Sequence, residues 1–364
     1  MKIGICTIHF PYNYGAMLQA YAFAEYLRRR GHCAEIIDYR PYCIDKNDRI
    51  YWRDIVKHPK SFLRKLKGTV CGMRRYTRGF EDFLAHDMPK SHRVKDKRDI
   101  DYSQYDYIFS GSDQVWNPQI VGGDLGYYLL EDVSCEKGSF ASSIGIDSLT
   151  SEMAVRFRKA LSAFDLVTVR EESAVQLLSD CGIDAKKVVD PVFLFRSQEW
   201  GEVARPVPVP DDKYLLYYSL GGDPELDDCV STLKKEYHLP VYSIHPYAGD
   251  VQVADLNVSR EYSVGPREFV WLIQHAEMIC SDSFHANAFS ILFGKTFVPF
   301  IHKQTGTRVR NLLQQFSVDI TPHGNDRYAV CSLSGESERK MEELIDFSAR
   351  LLGNVCPDEV NGIG

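Results

Sequence analysis

Residues 2–39, KIGICTIHFPYNYGAMLQAYAFAEYLRRRGHCAEIIDY, decide the fold. An apolar run over 2–7 predicts a buried strand, and apolar residues then recur at helical spacing over 17–27. A basic last turn and Gly31 end that helix, and residues 34–39 predict a second strand. Strand, helix and strand in this order form a β-α-β unit, which is typical of a parallel sheet.

The same alternation of strands and helices continues along the chain. Three closely spaced prolines between Phe195 and Lys213 interrupt it and indicate an interdomain linker. We therefore predict an α/β protein with two domains facing a cleft. The predicted ranges are 1–197 for the N-terminal domain, 198–211 for the linker and 212–364 for the C-terminal domain.

Composition limits the class of protein. The 364 residues are 44% hydrophobic and 26% charged, as in a folded protein of about two domains. The formal net charge of −7 argues against a nucleic-acid binder. No stretch has the roughly 20 apolar residues of a membrane span, and no signal peptide is visible, which predicts a cytoplasmic protein. The ten cysteines include no C-x-x-C pair, which favours reduced thiols over a zinc site or a disulfide scaffold.

A basic segment departs from this acidic average. Residues 53–78 hold nine basic side chains and one acidic side chain, Asp54, with apolar residues between them. We predict a helical insertion over about 53–79. Such a patch could make a peripheral contact with anionic lipid at the inner face of the membrane. A solvated surface helix is the alternative.

A polar stretch after the predicted strand over 278–280 is the first candidate site. Ser281, Asp282 and Ser283 can cap the helix that follows, and His285 lies in its first turn. A helix N-terminus attracts anions, and a histidine there can bind a phosphate or supply a proton. An ordinary helix cap with a structural histidine is the alternative.

Two further loops follow predicted strands, where open α/β sheets bind ligands. In both loops a rigid turn is the alternative to a binding site. In the second loop, we expect Trp116 to stack on a sugar and Asp113 and Gln114 to bind hydroxyl groups. The candidate residues are Asn13, Tyr14 and Gly15 in the first loop, and Gly111, Ser112, Asp113, Gln114 and Trp116 in the second.

Cations suited to an anionic ligand lie elsewhere in the chain. Arg170 ends a predicted strand and precedes Glu171, so it faces a site or forms a salt bridge. Lys303, Arg308 and Arg310 follow the predicted strand over 296–301. Arginine binds carboxylate and phosphate groups in bidentate fashion, although each of these cations is individually typical of a solvated surface.

In combination, five segments resemble the polysaccharide pyruvyl transferase family over roughly residues 1–320. The resemblance implies two Rossmann-like domains of the GT-B glycosyltransferase type, with the acceptor on the N-terminal side and the donor on the C-terminal side. It also matches His285 to the family's phosphoenolpyruvate-site histidine and Arg170 to a donor-binding arginine. Ser283 departs from the arginine that relatives often carry there. The segments are 13–15, 111–117, 169–171, 190–191 and 281–285.

The resemblance implies transfer of the enolpyruvyl group of phosphoenolpyruvate to two sugar hydroxyls of a cell-surface or exopolysaccharide precursor, free or lipid-linked. We expect His285 to contact the donor phosphate, Arg170 and Arg308 to clamp its anionic groups, and Asp113 to act as base. No metal or cofactor is expected. Two alternatives remain: a glycosyltransferase that uses a nucleotide sugar, and a non-catalytic glycan-binding relative.

Overall fold

The computed structural model describes residues 1–46, 74–220, 224–244, 252–301, 307–323 and 328–358. The strands are β1 (Lys2–Cys6), β2 (Cys33–Ile36), β3 (Tyr107–Ser110), β4 (Glu136–Ser139), β5 (Thr168–Val169), β6 (Lys186–Lys187), β7 (Leu215–Tyr218), β8 (Val241–Ile244), β9 (Leu256–Asn257), β10 (Met278–Ser281), β11 (Thr296–Pro299), β12 (Asp319–His323) and β13 (Tyr328–Ser332).

The α-helices of the same residues alternate with these strands. They are α1 (Tyr14–Arg29), α2 (Tyr42–Asp45), α3 (Arg74–His86), α4 (Pro118–Val121), α5 (Leu125–Tyr128), α6 (Ser151–Leu161), α7 (Glu172–Asp180), α8 (Ser197–Val203), α9 (Pro224–Tyr237), α10 (Val258–Glu261), α11 (Pro266–His275), α12 (Phe284–Leu292), α13 (Thr307–Gln315) and α14 (Gly335–Val355).

The first of two compact units comprises Met1–Arg49, Asp87–Phe195 and Glu343–Gly364. Its main sheet has the strand order β2-β1-β3-β4, and every adjacent pair is parallel. The short parallel pair β5-β6 continues beside β4 through isolated bridges. Because all these strands run in one direction, the loops that follow them lie at one edge of the sheet.

Helix α1 confirms the β-α-β unit predicted from the opening residues. The Asn13 side chain accepts a hydrogen bond from the Ala16 amide at 3.1 Å and so caps the helix. After the basic last turn, Gly31 adopts a φ of +92°, which a residue with a side chain rarely does. Phe23 packs its ring on Phe140 with a centroid distance of 4.8 Å, which fixes α1 to the core.

The second unit comprises Ile50–His86 and Arg196–Glu342. Its sheet has the order β12-β13-β11-β10-β7-β8-β9. The strands from β11 to β9 are parallel, and the hairpin β12-β13 adds antiparallel strands at one edge. The prediction of an α/β protein with two parallel-sheet units is therefore confirmed.

The boundaries of the units differ from the predicted ranges. Helix α8 occupies 197–203, so the predicted linker over 198–211 begins with regular structure. The end of the chain joins the first unit, because the Val189 amide donates to Ser348 Oγ at 3.1 Å and Arg30 pairs with Asp358 at 2.7 Å. The spacing of the prolines indicates where the alternation of strands and helices is interrupted. It does not indicate that the chain returns to the first unit after residue 342.

Helix α3 belongs to the second unit, although the sequence placed it in an insertion of the N-terminal domain. It packs on α10 and α11. Gly79 of α3 and Gly265, which precedes α11, bring their backbones together. A Cβ built on Gly79 would lie 2.5 Å from the Gly265 amide nitrogen. The absence of a side chain at Gly79 therefore allows this contact.

We expect Gly79→Ala to lower the free energy of unfolding by about 1–3 kcal/mol, because the new methyl group overpacks this contact. This cost would exceed the gain of about 1 kcal/mol that alanine brings to a helix. Gly353→Ala in α14 is the control, since nothing lies within 4 Å of its added Cβ, and it should stabilise by roughly 0.5–1 kcal/mol. Urea unfolding followed by circular dichroism measures both, and equal effects of the two variants would contradict this account.

Candidate active site

Buried polar side chains collect where the strands of the first unit end. Such groups need hydrogen-bond partners, because an unpaired polar atom inside a protein costs free energy. They form two neighbouring groups, one around Asp38 and one around Arg170. The buried members are Thr7 and His9 after β1, Asp38 after β2, Ser112 after β3, Ser142 and Ser143 after β4, and Arg170, Glu171 and Asp190 after β5 and β6.

The first group joins His9, Asp38 and Arg40. His9 Nδ1 lies 3.0 Å from the Thr7 carbonyl oxygen, and His9 Nε2 lies 3.2 Å from Asp38 Oδ1. Both oxygens are acceptors, so each can receive a hydrogen bond from the ring nitrogen beside it. Arg40 donates to both carboxylate oxygens of Asp38, at 2.6 and 2.9 Å. Burial alone would raise the pKa of Asp38, but the bonds from His9 and Arg40 hold that pKa well below its usual value.

The second group is centred on Arg170, whose side chain is only 2% exposed. Its Nη1 donates to Asp190 Oδ2 at 2.6 Å, and its Nη2 lies 3.5 Å from Glu171 Oε1. Burial disfavours the charge, yet the carboxylates of Glu171 and Asp190 raise the pKa of Arg170 above its usual value. Its guanidinium is engaged by two carboxylates, which is the salt-bridge alternative to the expected donor clamp.

The loop after β3 attaches to this second group. Ser112 Oγ donates to Asp190 Oδ2 at 3.3 Å, and Ser143 Oγ donates to Glu171 Oε1. Within the described part of the chain, Glu171 Oε2 is buried with no hydrogen-bond partner. Asp113 is partly exposed, adopts a φ of +70°, and contributes to the raised pKa of Arg170. The structure thus brings the predicted residues Ser112, Asp113 and Arg170 together.

Gly111 and Gln114 shape the same loop. A Cβ on Gly111 would lie 2.8 Å from Thr7 Cβ, so the loop approaches β1 too closely for a larger residue. The Gln114 side chain accepts from Asn117 Nδ2 at 2.9 Å. Gln114 therefore holds its own loop in the described structure, which is the rigid-turn alternative.

Trp116 is a correction. We expected its ring to stack on a sugar, but it is fully buried, and its indole N–H donates to the Tyr128 carbonyl at 3.1 Å. Its ring packs edge-on against Phe157. Of the three candidates in the first predicted loop, Tyr14 and Gly15 begin α1 and are buried, so Asn13 is the most exposed. An aromatic residue in a polar loop can serve the core as well as a ligand.

In the second unit, the predicted polar stretch connects strand ends and caps a helix. Ser281 Oγ donates to the Tyr218 carbonyl at 2.5 Å, which ties β10 to β7. Asp282 accepts from Ser219 Oγ at 3.1 Å and from the Leu220 amide at 2.9 Å. Ser283 is the cap of α12, accepting from the Ala286 amide at 3.4 Å. All three side chains thus support the backbone on which His285 is placed.

His285 is the second residue of α12 and is 7% exposed. Its ring meets that of Phe284 edge-on, with 5.1 Å between centroids. Helix α13 follows β11, packs on α12, and carries half-buried Arg308 and exposed Arg310 in its first turn. The first turn of a helix carries positive potential, so α12 and α13 place two such turns and two arginines after neighbouring strands. Lys303 lies outside the described residues.

A model of the family described as polysaccharide pyruvyl transferase matches residues 13–304. The chain belongs to this family. The match confirms the resemblance of the five segments, and it includes Asn13, Arg170 and His285. Among curated proteins, no sequence matches this chain.

Several solved structures are similar to the chain over nearly its whole length. UDP-GlcNAc 2-epimerase from Neisseria meningitidis, bound to UDP-GlcNAc, is 12% identical, with 99% of this chain and 95% of that chain covered and a TM-score of 0.46. UDP-N-acetylglucosamine 2-epimerase from Rickettsia bellii is 10% identical, with coverages of 98% and 97% and a TM-score of 0.48. The E. coli ADP-heptose LPS heptosyltransferase II is 10% identical, with 96% of this chain and 99% of that chain covered and a TM-score of 0.39. The α/β assignment rests on the strand order of this chain itself.

The group of His9, Asp38 and Arg40 was not among the residues that we predicted from the sequence. A signal was present, because His9 and Asp38 each stand at or just beyond the end of an apolar run. Polar residues there reach the carboxyl edge of a parallel sheet. What could not be foreseen is that Asp38 would meet both His9 and Arg40, since the pairing depends on how the two loops pack.

Other predicted features concern metals and membranes. In the described segments, no group of three or more His, Cys, Asp or Glu side chains could hold a metal ion. No helix among the same segments combines the length and the apolar character needed to cross a bilayer. Most of the basic segment, residues 53–73, lies outside the described residues, and the expected lipid contact remains a prediction.

We expect Asp38→Asn to lower the free energy of unfolding at pH 7 by about 3–5 kcal/mol, because it leaves His9 and Arg40 without their carboxylate. The folded-state pKa of Asp38 lies below its unfolded value, so this stabilisation is present above about pH 4 and is lost as the pH falls further. In urea titrations, the difference between the two proteins should therefore stay constant from about pH 7 to about pH 5 and shrink as the pH falls below about pH 4.

Asp96→Asn is the matched control, because the Asp96–Arg98 pair lies on the surface. We expect the control to unfold like the unmodified protein at neutral pH. A stability gap for Asp38→Asn that stayed constant down to pH 3 would show that its charge is not the cause.

Proposed function

We propose that this protein transfers the enolpyruvyl group of phosphoenolpyruvate to a saccharide of a cell-surface or exopolysaccharide precursor, forming a pyruvate ketal and releasing phosphate. Membership of the family supports a transferase of this kind. The observation that carries the proposal is the placement of His285 in the first turn of α12, next to a helix that begins with Arg308 and Arg310.

The donor is a small, highly anionic molecule, so its site needs fixed positive charge. We assign its phosphate to His285 and the first turn of α12, and its remaining anionic groups to Arg308 and Arg310. Bidentate contacts from arginine suit both carboxylate and phosphate. Two residues before His285, this chain has Ser283 in place of the arginine that relatives often carry. The two arginines of α13 supply the positive charge that this substitution removes. Lys303, in the segment before α13, is a further candidate for the same role.

The reaction proceeds by proton transfer and two additions. A proton added to the methylene carbon of phosphoenolpyruvate leaves an oxocarbenium-like centre at the neighbouring carbon. One sugar hydroxyl attacks this carbon and loses its proton. The carbon–oxygen bond to phosphate then breaks, and a second hydroxyl forms the second bond and loses its proton. The products are the cyclic ketal and phosphate, and we propose His285 as the source of the first proton.

The first unit offers a carboxylate for the hydroxyl groups. Asp113 is partly exposed, and its main chain is held in a left-handed conformation beside the Arg170 group. We assign Asp113 to binding and deprotonating a hydroxyl, and Arg170 to holding Glu171 and Asp190 in place. A carboxylate positioned in advance loses less free energy on binding than a mobile one.

Incubation with phosphoenolpyruvate and a panel of hexoses tests the proposal directly. Release of phosphate together with the pyruvyl mass increment on one sugar is expected. Parallel reactions with nucleotide sugars test the glycosyltransferase alternative, which predicts sugar transfer without consumption of phosphoenolpyruvate. Binding of saccharides with no product from any donor would instead support the non-catalytic alternative.

We expect His285→Ala to reduce the rate of phosphate release by about 10²–10⁴-fold if His285 transfers a proton. The fall should appear in kcat, because proton transfer belongs to the transition state. His275→Ala is the control. His275 is an exposed histidine of the same unit, and its Nδ1 bonds the Trp271 carbonyl oxygen. Turnover by His285→Ala equal to that of the control would remove His285 from the mechanism.

A further inference from the structure

A cavity of about 350 Å³ lies within the second unit, beside helix α9. It falls in the size range of small-molecule sites. Its lining comes from one helix and from the ends of two strands: Glu225, Asp228, Cys229, Thr232, Phe300 and Tyr328. None of these residues was a candidate in the sequence or has a part in the donor site.

One wall of the cavity is aromatic. Phe300 directly follows β11, and the antiparallel register that sets Phe297 opposite Cys331 also sets Tyr328 opposite Phe300. Directly opposed residues point to the same face of a sheet, so the two rings are neighbours. Both pack against the core formed by α9 with β7, β10 and β11. The aromatic wall of the cavity is therefore an extension of the hydrophobic core of the unit.

The other wall is polar and belongs to α9. Glu225, Asp228 and Thr232 follow one another at intervals of three and four residues, so they share one face of the helix, and all three are exposed. Two carboxylates and a hydroxyl provide several hydrogen-bond acceptors along one side. Burial raises the pKa of Tyr328 to about 12, so its hydroxyl stays protonated at neutral pH.

The charge of this wall selects among ligands. Two carboxylates at the rim repel phosphoenolpyruvate and the diphosphate of a nucleotide sugar. They are well suited to accept hydrogen bonds from hydroxyl groups. A ligand with an apolar face for the rings and a hydroxyl-bearing edge for α9 fits both walls, and an uncharged pyranose has this form.

The cavity and the proposed donor site lie at the same edge of the sheet, after neighbouring strands. Glu225 lies in the first turn of α9, soon after β7, and Phe300 follows β11, while His285 follows β10. Strand β10 lies between β7 and β11 in the sheet. We propose that the cavity binds one pyranose unit of the acceptor saccharide. That the bound saccharide is the acceptor of the reaction rests on the proposed function.

Saturation-transfer NMR on the full chain tests the site with four probes: the methyl glycosides of galactose, mannose, glucose and N-acetylglucosamine. At least one should bind, with its ring protons receiving magnetisation from the protein. The double variant Glu225→Gln, Asp228→Asn should raise the Kd of that glycoside at least tenfold. Phe300→Ala should do the same by removing the aromatic wall. Phosphoenolpyruvate should leave the Kd unchanged.

Glu338→Gln is the control, because it removes one exposed carboxylate of α14 that does not line the cavity. It should bind the glycoside as the unmodified protein does. The inference is overturned if none of the four glycosides binds, or if the double variant and Phe300→Ala bind as tightly as the control.

Turnover separates this inference from the proposed function. With phosphoenolpyruvate and a saccharide that reacts, the double variant should raise KM for the saccharide at least tenfold and leave kcat nearly unchanged. Phosphate release with an unaltered KM would overturn the cavity assignment while the proposed function stands. Glycoside binding that the double variant weakens, with no phosphate release from any sugar, would support the cavity as a saccharide site and reject the proposed function.

Discussion

The ion pair between Arg170 and Asp190 is the interaction that organises the carboxyl edge of the sheet in the first unit. Both side chains are inside the protein, where a lone charge would be very costly. Each is tolerated because the other is present, and Glu171 shares the same guanidinium. Ser112 donates to Asp190 and Ser143 donates to Glu171, so the same group of charges also holds the loops after β3 and β4. The loop that carries Asp113 is consequently fixed by buried charge.

The two units use charge in different ways at corresponding edges. In the first unit, the cations Arg40 and Arg170 are each bonded to carboxylates within the protein. In the second unit, Arg308 and Arg310 lie at a helix start with greater exposure. Buried charges of the first kind maintain geometry, whereas arginines with greater exposure near positive helix ends favour an anionic ligand. This contrast is why we assign the donor to the second unit.

The sequence was sufficient for local structure and for the position of the loops. The helix over 17–27 and the turn at Gly31 follow from short-range patterns, and parallel strands bring their loops to one edge. It was insufficient where long-range packing decides. Trp116 stands among polar residues yet is buried, and Arg170 meets Asp190, twenty positions away. The cavity beside α9 needed the register between β11 and β13, which no local pattern contains.

Helix α14 begins among residues of the second unit and ends among residues of the first. The first unit is therefore built from the earliest and the latest described parts of the chain, with Ser348 bonded to Val189. During synthesis, domains generally fold as they emerge. The native contacts of the first unit are complete only after residues beyond 342 have been synthesised. The second unit has all of its residues by then, so it is in a position to fold before the first unit.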